Sequence, residues 1–142
     1  MSDLPDIESL QNNFSDLNDG NDKVAYLIEL GAKLPFFPAE LQDDAHIVRG
    51  CASRIWMDHA WENGRLHLQL TGDALIVKGL LTILFVAYRD KTPSEILERD
   101  PKTILQQLGL AHELSANRQN GFSAVARQIQ SVAQFQTKGF HP

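Results

Sequence analysis

The one cysteine of this chain, Cys51, is the side chain best suited to nucleophilic chemistry. It lies in the segment V-R-G-C-A-S-R-I-W (48–56), where Gly50 permits a tight backbone conformation that a residue with a Cβ resists. Arg49 and Arg54 are close in sequence, and a nearby cation favours the reactive thiolate over the thiol. A lone cysteine is also often a small buried hydrophobic residue, and surface arginines are often simply solvated. Both interpretations of Cys51 are therefore open at this point.

The cysteine count removes several other kinds of site. One cysteine excludes an internal disulfide, a self-contained dithiol redox pair and a three-cysteine metal or cluster scaffold. The five histidines show neither H-x-x-x-H spacing nor a cysteine pair beside them, so we expect no metal site. A hydrolase built on Cys51 and a histidine stays open, because the partner residues of such sites are distant in the chain.

A β-hairpin directly after Cys51 is the clearest local structural signal. Residues 55–61 and 66–70 alternate between apolar and polar side chains, and Asn63-Gly64 between them is the preferred pair for a two-residue type I′ turn. The branched pair Ile47-Val48 predicts a further short strand near residues 46–50. The turn predicts these cross-strand pairs: Trp61 with Leu66, His59 with Leu68, and Met57 with Leu70.

Helices are predicted both before and after this hairpin in the sequence. We expect a buried helix from Ala74 to about Tyr88 with Asp73 as its N-cap, and a last helix capped by Ser115. Shorter helices are predicted after residue 5, after Asp22 as an N-cap, from the capping box at residues 92–95 and from Asp100-Pro101. The fold class is therefore α+β. We expect a single domain over residues 1–142, with a small antiparallel sheet packed against several helices and a flexible tail at about residues 136–142.

Charge and hydropathy limit the partners. The 13 basic and 18 acidic residues give a net charge of -5, which argues against a general affinity for nucleic acid. The first ten residues carry acids and a proline where a signal peptide needs basic residues and an apolar core. The longest apolar stretch, residues 74–88, is shorter than the ~20 residues that span a bilayer. We therefore expect a soluble protein with no membrane partner and, for a bacterial source, a cytoplasmic one.

Four segments resemble one known family. Residues 48–56 resemble the V-x-G-C-x-S-x-V-W signature of SufE-like proteins, and residues 22–31 resemble the family's second helix. Residues 73–80 resemble its buried helix, and residues 114–121 resemble the L-[ST]-P-S-R-x-x-G entry to its last helix. The matches run in order from about residue 7 to residue 135, so the resemblance covers most of the chain.

The resemblance implies a sulfur acceptor for iron–sulfur cluster assembly. The expected partner is a pyridoxal-phosphate cysteine desulfurase of the SufS or CsdA type, which holds sulfur as a persulfide on its own cysteine. The Cys51 thiolate attacks the outer sulfur and passes it on to a cluster scaffold or another acceptor, by the chemistry of thiol–disulfide exchange. The resemblance also implies stimulation of the desulfurase. The cofactor belongs to the partner, so none is expected in this chain.

Further site residues follow from the same resemblance. Arg118 matches the arginine before the family's last helix, which implies a stabiliser of thiolate or persulfide charge, or an anchor for the cysteine loop. Arg49, Gly50 and Ser53 of the signature, with Asp73, are expected to contribute to partner binding. Each of three has a simpler interpretation: surface hydrogen bonds for Arg118, a helix N-cap for Asp73 and a turn hydroxyl for Ser53.

The sequence departs from the family pattern at two positions and leaves two other functions open. Ala116 stands where the family usually has proline, which places the positioning of Arg118 in question, and Ala52 stands where glutamine is common. One alternative function is a cysteine-dependent enzyme acting on a small thiol, ester or amide. The other is an interaction module in which Cys51 is inert packing. In the family's usual resting arrangement the thiol is turned into an apolar pocket, and that arrangement would protect a persulfide from stray reductants.

Overall fold

A computed structural model describes residues 4–138 of the chain. Within that range the chain forms six α-helices and a two-stranded antiparallel sheet, which confirms the α+β class. One cluster of buried side chains extends from Leu4 to Ala133 and joins the hairpin to the helices. The elements are α1 (Ile7–Ser15), α2 (Gly20–Gly31), a 3-10 turn (Ala39–Leu41), β1 (Ile55–Glu62), β2 (Arg65–Gly72), α3 (Leu75–Tyr88), α4 (Pro93–Glu98), α5 (Pro101–Gln107) and α6 (Ala116–Thr137).

The hairpin forms in the predicted register. Asn63 and Gly64 both have positive φ, 55° and 74°, as a type I′ turn requires. Alternation places every second residue on one face, and on that face β2 is buried along its length, whereas β1 is buried at Ile55 and Met57, exposed at His59 and partly buried at Trp61. The confirmed pairs are Trp61 with Leu66, His59 with Leu68, and Met57 with Leu70.

The predicted strand near residues 46–50 is wrong as a strand. The segment makes one isolated bridge, between Ile47 and Trp56, and then leaves the sheet. Two hydrogen bonds hold it there, from Val48 N–H to the Ile55 carbonyl (2.8 Å) and from Met57 N–H to the His46 carbonyl (2.9 Å). The pairing stops because the chain turns away immediately afterwards, and this turn begins the cysteine loop, residues 49–54.

Two predicted helix caps are also wrong. The N-cap of α3 is Ala74, and no side chain caps this helix. Asp73 is still part of the extended hairpin, because its N–H donates to the Arg54 carbonyl (3.2 Å), so the helix begins later than expected. Likewise Asp19, not Asp22, caps α2 by accepting from the Asn21 N–H. The capping box at residues 92–95 and the Ser115 cap of α6 form as predicted.

Helices α2 and α3 pack with their backbones in close contact. A Cβ on Gly31 would lie 2.8 Å from the Gly79 nitrogen, and a Cβ on Gly79 would overlap the Leu27 carbonyl. The buried Thr82 hydroxyl lies within hydrogen-bond distance of the Leu30 carbonyl (3.2 Å) and the Lys78 carbonyl (2.8 Å). This pair of helices is the rigid base against which the hairpin and α6 are placed.

The last helix, α6, continues through Thr137. Residues 136 and 137, which we expected to begin the tail, are therefore helical, and residues 139–142 lie outside the described residues. None of the helices within residues 4–138 combines the length and the hydropathy of a membrane span.

Candidate functional site

The cysteine loop lies on α6, and Gly50 sets its path. Gly50 has φ +89°, a left-handed conformation that L side chains rarely adopt. The backbone approaches α6 closely there, since a Cβ on Gly50 would lie 3.7 Å from the Ala124 Cβ. This turn places Cys51 over Gly121, one turn of α6 before Ala124.

Cys51 lines a cavity of about 250 Å³ between the cysteine loop, α3 and α6. Its thiol is partly buried and donates a long, weak hydrogen bond to the Gly121 carbonyl, with 3.8 Å between Sγ and oxygen. The first strand and α3 supply most of the apolar wall, and the start of α6 supplies polar groups. The apolar side chains are Ile55, Val77, Leu80, Leu81, Leu84 and Phe122, and the polar ones are Ser53, Ser115, Asn117 and Arg118.

Burial and one cation act in opposite directions on the thiol. Removal from water raises the pKa of Cys51, because burial disfavours the charged thiolate. The positive charge of Arg127 lowers that pKa by a smaller amount. Neither Arg49 nor Arg54 exerts a comparable influence, and both are exposed. At rest, the site therefore holds mainly a neutral thiol.

Sequence reasoning missed Arg127. The signal that would have found it is its spacing: Arg118, Gly121, Ala124 and Arg127 recur every third residue along α6, so consecutive members are neighbours on the helix surface. That signal becomes useful only once the cysteine loop is known to lie along α6.

The structure brings some of the predicted residues together and leaves others apart. Arg118 and Ser53 line the same cavity as Cys51. The backbone N–H of Arg118 donates to the Ser115 hydroxyl (3.3 Å), so Ala116 in place of proline does not disturb the start of α6. Arg49 and Asp73 are exposed and do not line the cavity.

The polar environment of the sulfur lacks the usual partners of a catalytic nucleophile. Among residues 4–138, no imidazole or carboxylate is within hydrogen-bond distance of the Cys51 Sγ. Over the same range, the described residues include no group of three or more His, Cys, Asp or Glu side chains able to hold a metal ion. A cysteine hydrolase needs a base within hydrogen-bond reach to activate its thiol, so this arrangement favours a different use of Cys51.

Fold and site together define a class of protein: an α+β chain with one cysteine, carried on a loop above an apolar cavity. The SufE family profile, described as "Fe-S metabolism associated domain", matches residues 8–133. The chain therefore belongs to the SufE family.

Two individual proteins show the extent of the similarity. The chain is 37% identical over 123 residues to the "Sulfur acceptor protein CsdE" of Escherichia coli (strain K12), a match that covers 86% of this chain and 84% of that protein. Its fold is similar to the solution structure of a hypothetical protein from Thermus thermophilus, with a TM-score of 0.76 and 21% identity. That second match covers 97% of this chain and 99% of the other, and it supports the fold alone.

Proposed function

We propose that this protein accepts persulfide sulfur from a cysteine desulfurase onto Cys51 and passes it into iron–sulfur cluster assembly. The observation that carries the proposal is the only thiol of the chain, placed on a loop over an apolar cavity with no base beside it among the described residues. Membership of the SufE family and the similarity to a sulfur acceptor protein support it. A free cysteine is stable in the reducing cytoplasm, where we expect the protein to act.

The proposed transfer balances without a cofactor in this chain. The Cys51 thiolate attacks the outer sulfur of the partner's persulfide, a new S–S bond forms on Cys51, and the partner's S–S bond breaks. The electron pair of the broken bond leaves on the partner's cysteine as a thiolate, so there is no net oxidation or reduction. The pyridoxal phosphate that releases sulfur from free cysteine belongs to the desulfurase. A second transfer of the same kind delivers the sulfur to a cluster scaffold or another acceptor.

The cavity provides a resting place for the loaded cysteine. Its volume of about 250 Å³ is larger than one sulfur atom needs, and most of its wall is apolar. A persulfide turned into this space is shielded from water-borne reductants. Arg118 lines the cavity and supplies a positive charge, which suits a stabiliser of persulfide charge or an anchor for the loop.

The loop must leave α6 for the sulfur to be attacked in line. The 3.8 Å hydrogen bond from Sγ to the Gly121 carbonyl is weak, so its loss adds little to the cost of this movement. Exposed residues at both ends of the loop are available to a partner: Arg49 and Gly50 before the cysteine, and Asp73, whose N–H donates to the Arg54 carbonyl. We propose that the desulfurase holds the loop in its withdrawn position through these residues, and that removal of sulfur by Cys51 stimulates its turnover.

Intact-mass spectrometry tests the proposal. The protein is incubated with a cysteine desulfurase and free cysteine, and Cys51→Ser is the matched control because serine keeps the size and removes the sulfur. We expect a gain of one sulfur atom in the wild type only, reversed by a reductant. If no desulfurase loads a wild-type protein whose Cys51 still reacts with an alkylating agent, the acceptor role is wrong. A cysteine-dependent enzyme acting on a small thiol, ester or amide then becomes the better explanation.

A further inference from the structure

Gly121 occupies a position in α6 where helix propensity favours almost any other residue. It is buried in the interior of a 22-residue helix. Glycine at such a position makes a helix less stable than alanine does, because a glycine loses more backbone freedom on folding. A buried glycine in a helix is often required because a neighbouring element packs too close to leave room for a Cβ. At Gly31 and Gly79 that need is plain, because a Cβ at either position would collide with the backbone of the other helix.

No neighbouring element packs this closely against Gly121. A Cβ built there meets no atom within 4 Å beyond its own part of the helix, so an alanine fits without displacing a neighbour. The residue nevertheless lines the Cys51 cavity, and its carbonyl accepts the hydrogen bond of the Cys51 thiol. The missing side chain therefore leaves open volume directly beside the sulfur.

We propose that Gly121 is a positioning residue, whose missing side chain keeps free the space that the outer sulfur of a Cys51 persulfide occupies. The inference rests on the proposed function and deepens it. An S–S bond is about 2 Å long, so the outer sulfur lies within the cavity when the loop is seated on α6. The Cys51 Sγ lies 3.8 Å from the Gly121 carbonyl oxygen, so a methyl group on Gly121 reduces the space left for the outer sulfur on this side of the cavity.

The test uses a persulfide made without a desulfurase. Cys51 is first converted to a mixed disulfide by exchange with 5,5′-dithiobis(2-nitrobenzoate), whose S–S bond breaks and releases one thionitrobenzoate. Hydrosulfide then attacks the Cys51 sulfur. One S–S bond forms, the bond to thionitrobenzoate breaks, and thionitrobenzoate leaves as a thiolate. After removal of small molecules, a water-soluble phosphine is added. It takes the outer sulfur as phosphine sulfide and returns the thiol, and mass spectrometry follows the loss.

Three proteins are compared: the wild type, Gly121→Ala and Asn120→Ala. The control substitutes the exposed neighbouring residue and also raises helix propensity, but it lies outside the cavity lining. We expect Gly121→Ala to lose its outer sulfur about tenfold faster than the other two, because the methyl group and the outer sulfur together crowd the space and disfavour the sheltered state of the persulfide. Its melting temperature should be no lower than that of the wild type.

Equal rates of sulfur loss in the three proteins would overturn the inference. So would a clear drop in the melting temperature of Gly121→Ala, since that would mean the space is not open. The proposed function is tested separately, because its failure appears as a wild type that gains no sulfur from a desulfurase.

Discussion

The α2–α3 contact and the contact between the cysteine loop and α6 both contain buried helical glycines, and they use them in opposite ways. Gly31 and Gly79 let two backbones approach until no side chain fits between them. Gly121 leaves a cavity in which a side chain would fit. The comparison teaches that the role of a helical glycine depends on what its Cβ would meet, which is a property of the neighbouring element.

The polar contacts of the two regions differ in the same sense. In the first, the Thr82 hydroxyl of α3 is fully buried and lies 3.2 Å from the Leu30 carbonyl of α2. In the second, the Cys51 thiol is partly buried and its hydrogen bond to the Gly121 carbonyl is 3.8 Å long. The α2–α3 contact thus contains a fully buried hydroxyl, whereas the sulfur at the loop–α6 contact makes one long hydrogen bond, as the proposed withdrawal of the loop requires.

The largest expected change is in the free energy of unfolding, on adding a methyl group at the α2–α3 contact. Gly79→Ala should lower the free energy of unfolding by about 3 kcal/mol, because the new methyl group overlaps the Leu27 carbonyl and one helix has to shift. Gly121→Ala is the matched control and should raise the same free energy by up to about 1 kcal/mol, the difference in helix propensity. Urea denaturation followed by circular dichroism measures both values. Similar losses of stability in the two variants would remove the distinction between the regions.

The pH dependence of alkylation tests how the open region treats its thiol. Burial raises the pKa of Cys51, so the thiolate appears at higher pH than in an unfolded chain. The rate of reaction with iodoacetamide should therefore rise with pH around a midpoint above that of the same protein in concentrated urea. Addition of a desulfurase should speed the reaction if the partner withdraws the loop. A midpoint below that of the unfolded chain would show that cations, and not burial, dominate at Cys51.

The smallest expected change is in the alkylation rate of Cys51 when the positive charge of Arg127 is removed. Arg127→Gln should raise the pKa of Cys51 further, because the remaining influence is burial. Alkylation near pH 7 should slow by about two- to threefold, a modest change since Arg127 is exposed and screened by salt. Arg54→Gln is the control: it removes a cation close in sequence, and we expect it to leave the rate unchanged. An equal effect of both substitutions would mean that only the net charge matters.

Much of the hairpin and several helix starts could be predicted from the sequence, because each depends on contacts between residues close in the chain. Asn63-Gly64 favours one turn, and the alternation on either side admits one register. The Ser115 cap and the capping box at residues 92–95 are likewise local hydrogen bonds. Cys51 stood out because it is the only thiol in the chain.

The sequence-based predictions of the α3 N-cap and of the strand near residues 46–50 were wrong because contacts with a neighbouring segment changed the local structure. Asp73 has the right chemistry for an N-cap, but its N–H is still bonded to the Arg54 carbonyl at the end of the hairpin, so α3 begins one residue later, with Ala74 as its N-cap. Residues 46–50 have the composition of a strand, but the turn at Gly50 ends their pairing after one bridge.

The class of fold, the hairpin and the identity of the one sulfur atom can be read from the sequence, since they depend on local hydrogen bonding, side-chain alternation and composition. That Cys51 lies over Gly121, that the charge of Arg127 lowers its pKa and that the space beside it is open can be seen only in the folded chain. The cysteine loop and α6 are far apart in the sequence. Their contact depends on how the whole core packs, which no local pattern encodes.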